Sequence, residues 1–147
     1  MKTRGPLAFA LALAATACSG TSATAGAGDG GLDGAPLGGD PYATATSAGG
    51  LHVDARTDPQ PPPRGTFDVE LRVADPSGAP VDGLSLDVVP WMPAMGHGSS
   101  IVPNVTAQGG GRYTIGNVSM VMPGDWELRT NITGRLTDHV AITITIP

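Results

Sequence analysis

Cysteine occurs once in the 147 residues, at Cys18, so no intrachain disulfide can form. Basic residues are few: 8 Lys and Arg stand against 13 Asp and Glu, a formal charge of −5. Phosphate binding needs a basic surface, so nucleic acid is not an expected partner. Glutamate is limited to Glu70 and Glu127, and both read as outward-facing strand residues that solvate the surface. No Gly-x-Ser-x-Gly elbow and no phosphate loop occurs, and Ser99 and Ser100 beside His97 lack a placed acid partner. An enzyme is therefore not expected. With two Trp, two Tyr and two Phe, a core must rest on aliphatic side chains, with Trp126 as a main anchor. No apolar run approaches the ~20 residues of a membrane-spanning helix.

The amino terminus carries an address. Lys2 and Arg4 precede Leu7-Ala8-Phe9-Ala10-Leu11-Ala12-Leu13-Ala14-Ala15, the charged start and short apolar stretch of a secretory signal peptide over residues 1–17. The run ends in Ala15-Thr16-Ala17-Cys18, which resembles a bacterial lipobox, with Ala15 where leucine is usual. On that likeness Cys18 becomes the first mature residue and carries fatty acyl chains such as palmitate, making the protein membrane-attached. Ser19 rather than aspartate after it favours the outer over the inner membrane, on the periplasmic face. A lipidated Cys18 leaves no thiol for a metal. Loss of Lys2 and Arg4 takes the charge from −5 to −7.

From Cys18 to residue 48 the chain is rich in glycine, alanine, serine and threonine with scattered aspartates, and reads as a disordered tether. Residues 49–147 suit one small domain. Its signals are those of strands. Leu51 and Val53 alternate with polar neighbours, as do Phe67, Val69, Leu71 and Val73, then Leu84, Leu86 and Val88. A stiff, extended proline connection follows Asp58. Asp75-Pro76-Ser77-Gly78 and the glycines at 109–111 read as turns. Tyr113 and Ile115 share odd parity, whereas Val118, Met120 and Met122 are even, so a β-bulge is expected at Gly116. Trp126, Leu128 and Ile132, then Val140, Ile142, Ile144 and Ile146, complete the inward set. The expected fold is all-β, an immunoglobulin-like β-sandwich of six to eight short strands.

One stretch carries the available chemistry: Pro90-Trp91-Met92-Pro93-Ala94-Met95-Gly96-His97-Gly98. Thioethers bind Cu(I) well and zinc, magnesium or calcium poorly, and imidazole suits copper too. Met92, Met95 and His97 fall on one turn, and Met122 adds a third sulfur if its strand ends beside that turn. His52 and His139 are assigned to outward faces elsewhere. A plainer reading treats the methionines as fillers of irregular core gaps.

Four segments in order resemble the YtkA-like domain family. They are Asp75-Pro76-Ser77-Gly78-Ala79-Pro80-Val81-Asp82-Gly83, Met92 to Gly98, Gly111-Arg112-Tyr113, and Met122-Pro123-Gly124-Asp125-Trp126-Glu127-Leu128. The likeness implies an immunoglobulin-like sandwich in a bacterial exported protein, in settings linked to copper handling and oxidase assembly. Met92, Met95, His97 and Met122 take its motif positions, and a copper-dependent oxidase assembly factor becomes an expected envelope partner. The alternative is a structural or interaction module without metal, with Trp91 as the partner contact if it stands exposed.

Overall fold

The computed structural model describes residues 35–147, and nothing in them is helical. The expected signal peptide, Cys18 and the expected tether up to residue 34 lie outside the described residues. Nine strands are formed: β1 (Ala43–Thr46), β2 (His52–Thr57), β3 (Gly65–Ala74), β4 (Leu84–Met92), β5 (His97–Gly98), β6 (Asn104–Gly109), β7 (Arg112–Met120), β8 (Gly124–Gly134) and β9 (Asp138–Ile146). They pair antiparallel into a five-stranded sheet, β1-β2-β3-β7-β6, and a four-stranded sheet, β5-β4-β8-β9. The expected all-β sandwich is the observed architecture.

Alternation decides which residues fill the space between the sheets. Val69, Leu71 and Val73 from β3 meet Leu128, Ile132, Ile142, Ile144 and Ile146 from β8 and β9, all buried. Trp126 is the largest fully buried side chain, 2% exposed, as an aromatic-poor sequence requires. Tyr113 is buried towards the other end of the core and ties the sheets: its hydroxyl donates to the Val81 carbonyl at 2.9 Å and accepts from Leu84 N at 3.2 Å. Burial pushes that phenol above its ordinary pKa.

The expected bulge is present. Phe67 pairs with Val118 but Val69 pairs with Ile115, so Gly116 and Asn117 together oppose Asp68. Asn117 takes a positive φ of 59° there, and its amide donates to Asp68 Oδ1 at 3.2 Å. The glycine turn at 110–111 joins β6 to β7 with positive φ at both residues, the geometry of a tight hairpin. At Gly111 a Cβ would lie 2.4 Å from the Val73 carbonyl, so only glycine fits.

Four sequence expectations change. The domain begins earlier than residue 49, because residues 43–46 form β1 on the edge of β2. Its short, alanine- and threonine-built pattern of half-buried residues carries little apolar signal. The proline segment turns through bends at 58–61, with cis peptides at Asp58-Pro59 and Gln60-Pro61, instead of running extended. Glu70 does face away from the core but is 3% exposed, not solvated: Arg112 Nη1 approaches its Oε2 at 3.4 Å and Leu37 N donates to it. The segment before β1 covers that face. Strands β5 and β6 add to the expected count; the first has two residues and the second is mostly polar.

The two seams of the sandwich differ. Where β1 meets β9, hydrogen bonds cross between sheets: Tyr42 Oη to the Thr145 carbonyl at 2.7 Å, and Ala48 N to the His139 carbonyl at 3.2 Å. Asp138 completes this seam, accepting from Ser47 Oγ, from Gly49 N at 2.9 Å and from His139 N at 2.8 Å. Desolvation is the largest single influence on that carboxyl and opposes ionisation, but the donated hydrogen bonds together outweigh it and lower its pKa. No comparable set of bonds joins β4 to β6 among the described residues.

Two outcomes follow from this packing. Trp126→Ala should cost about 3–5 kcal/mol, read by urea denaturation; a variant as stable as the parent would remove Trp126 from the core. Because Asp138 is depressed in the folded state, its contribution is whole above the ordinary carboxyl pKa and is lost as pH falls through the lowered value. The stability advantage of the parent over Asp138→Asn should therefore shrink between about pH 5 and pH 2.5. An advantage constant across that range would contradict the assignment.

Candidate functional site

Strand β4 runs inward at even positions and ends at the Met-rich turn, so Met92 is the last core-facing residue of its strand and is 7% exposed. Four residues, Pro93-Ala94-Met95-Gly96, then reverse the chain into β5. The Met92 carbonyl accepts from Met95 N at 3.2 Å and Gly96 N at 3.0 Å, closing the turn. Gly96 has φ +67°, a left-handed conformation that glycine adopts without a Cβ penalty.

The register of this hairpin sets Met92 directly opposite His97, and Trp91 opposite Gly98. Directly opposed residues project to the same face, with Cβ atoms about 4.5–5.5 Å apart. Met92 and His97 therefore share the inner face at the open end of the sandwich. His97 is exposed, with Nδ1 3.3 Å from the Gly98 carbonyl. A proton on Nδ1 leaves the Nε2 lone pair available to a ligand.

Met122 reaches the same end by another route. It follows β7 in the connection that crosses to the second sheet, half-buried against the core. Trp126 Nε1 donates to the Met122 carbonyl at 3.0 Å, pinning that connection to the core anchor. Two residues after Met122, a Cβ on Gly124 would lie 3.2 Å from Met92 Cε. The Met92 thioether thus lies between the His97 strand and the Met122 connection. Met95 projects from the turn and is 58% exposed, whereas Met120, on the preceding strand, is fully buried as core.

Of the expected ligands, then, Met92 and His97 stand opposite each other across the hairpin, the connection that carries Met122 passes beside Met92, and Met95 stands exposed on the turn. His52 on β2 and His139 on β9 are exposed and belong to other strands, as expected. No group of three or more His, Cys, Asp or Glu side chains is assembled among the described residues.

Trp91 lies on the outer face of the same hairpin and is half-buried. Arg129 Cζ is 4.7 Å from its ring centroid, and Glu127 Oε2 holds Arg129 Nε at 2.8 Å. Gly98 passes beneath: a Cβ there would lie 2.8 Å from the Pro90 carbonyl and 3.3 Å from Trp91 Cε3. The indole is thus partly covered by a guanidinium instead of standing free. Sequence reasoning missed the exposed apolar residues Val89, Ile101 and Val102. For two of them the sequence offers one signal, the adjacent apolar pair Ile101-Val102 between Ser100 and Pro103.

A family model described as YtkA-like matches residues 46–131, a stretch that includes the whole Met92–His97 hairpin and the Met122 connection. No curated protein and no solved structure matches the chain.

Proposed function

The chain belongs to the YtkA-like family, and on that premise we propose that its domain holds or passes Cu(I) at the sandwich rim while Cys18 attaches it to a bacterial cell envelope. The observation that carries the metal reading is the hairpin register, which opposes Met92 and His97 while the Met92 methyl abuts the Met122–Gly124 connection. Two thioethers and an imidazole are soft and borderline donors, a set that suits Cu(I) and offers little to calcium or magnesium. Met92, His97 and Met122 would hold the ion, and the exposed Met95 would add a sulfur from the solvent side.

The surrounding packing fits a binding role. Met92 and Met122 are restrained by the core, so little ordering would be needed on binding. The Trp126 hydrogen bond restrains the Met122 backbone, and the Met92 carbonyl is already committed to the turn. Met95 and His97 remain accessible to solvent, as transfer to a partner would require. A copper-dependent oxidase assembly factor is the kind of envelope protein that would receive the ion.

Competition titration with a Cu(I) chelator should give one equivalent bound per chain. His97→Ala and Met92→Leu, which removes sulfur while keeping volume, should each weaken binding by about tenfold or more, a loss of one donor interaction of ~1.4 kcal/mol. Equal affinity in parent and both variants would refute the site. Attachment has its own test: cells fed a labelled fatty acid should label the chain through Cys18, and Cys18→Ser should abolish the label and release the protein from the membrane fraction. Labelling that persists in Cys18→Ser would refute lipidation at that residue.

A further inference from the structure

The open seam between β4 and β6 has the chemistry of a strand-binding edge. β5 pairs with β4 only at Trp91 and Met92, leaving residues 84–88 of β4 without a strand partner on that side, although Leu84 N already donates to the Tyr113 hydroxyl. The direction of each backbone group follows from its partners. The Pro90 carbonyl accepts from Ser99 N at 3.0 Å, so even-numbered residues of β4 point their backbone groups away from β8. The Ser85 carbonyl, by contrast, faces β8, where it is opposite Thr133 and accepts from the Thr133 hydroxyl. Leu86 and Val88 therefore direct their N–H and C=O groups outward, and no backbone group among the described residues pairs with them there.

Natural edges are usually blunted by lysine, by proline or by a cover. Within β4 proline occurs only at Pro90, past the open stretch, Pro103 borders both clefts from the side, and the nearest charge is Asp87. Two clefts run beside the edge. One, of about 400 Å3, is lined by Leu84, Leu86, Val105, Ala107 and Tyr113; the other, of about 150 Å3, by Val88, Val89, Ile101 and Val102. Val102 is 82% exposed, Ile101 44% and Val89 40%, an apolar border next to unpaired backbone.

We infer that this edge receives an extended segment of another protein, added as a strand beside β4. Unpaired amides and carbonyls at alternate residues demand a partner backbone in the β conformation. The cleft side selects apolar side chains at alternate positions of the guest. The outer side, where Asp87 projects, selects a lysine or arginine. Charge decides between a foreign segment and a second copy: at −5 overall, the chain repels itself and attracts a basic segment. The open stretch accommodates about five residues of guest, roughly 17 Å. This inference does not depend on the metal reading.

The probe is a fluorescein-tagged, capped heptapeptide that alternates valine with lysine and threonine, titrated with the full chain by fluorescence anisotropy. Saturable binding is expected. N-methylation of one alternate set of peptide amides should weaken it by about tenfold or more, by removing two or more backbone hydrogen bonds, while methylation of the other set is tolerated. Asp87→Asn should weaken binding of the basic peptide by several-fold while a peptide with threonine in place of lysine binds parent and variant alike. Absence of binding, or equal tolerance of both methylation patterns, would overturn the proposal. So would a chain that sediments as a dimer and excludes the peptide, which assigns the edge to a second copy.

Discussion

The buried indole of Trp126 is the constraint on which both the core and the rim depend. Its ring fills the space between the sheets in a chain with few aromatics, and its one polar atom is satisfied by the Met122 carbonyl. A buried N–H without a partner costs about 1–3 kcal/mol, so the connection after β7 is bound to follow the ring. That connection carries Met122 and brings Gly124 against Met92. Packing and site placement thus have one cause.

The hairpin at the end of β4 is held independently. Its turn is closed by two donors to the Met92 carbonyl, and its second strand is narrow enough to pass Trp91 only because residue 98 is glycine. On the outer face the Arg129 guanidinium covers Trp91, an interaction of about 0.5–1 kcal/mol for an exposed pair. The inner face keeps Met92 and His97 opposed. A rigid scaffold therefore presents soft donors at its end, while the exposed Met95 extends beyond it.

Strong alternation made most of the fold legible in the sequence. Val69 to Val73, Leu84 to Val88, Trp126 to Ile132 and Val140 to Ile146 all bury the side chains their parity assigned. The parity change at Gly116 also located the bulge, because a single added residue must flip every later side chain. What stayed hidden has weak local signals. β1 and β6 are built from small or polar residues, and their pairing is set by neighbours distant in sequence. Glu70 alternates like a solvated residue and is buried only because residues before β1 fold over it. The MPAMGHG turn announced its donors, but that Met92 is opposed to His97 depends on a register no spacing rule supplies.

The central claim is that sulfur and imidazole donors from two separate connections meet at one end of the sandwich. X-ray absorption spectroscopy of the Cu(I)-loaded full chain tests it most directly. The account predicts thioether sulfur together with one imidazole in the first coordination shell, with sulfur scattering reduced in Met92→Leu and again in Met122→Leu. A shell of nitrogen and oxygen alone, or a spectrum unchanged by both substitutions, would contradict it.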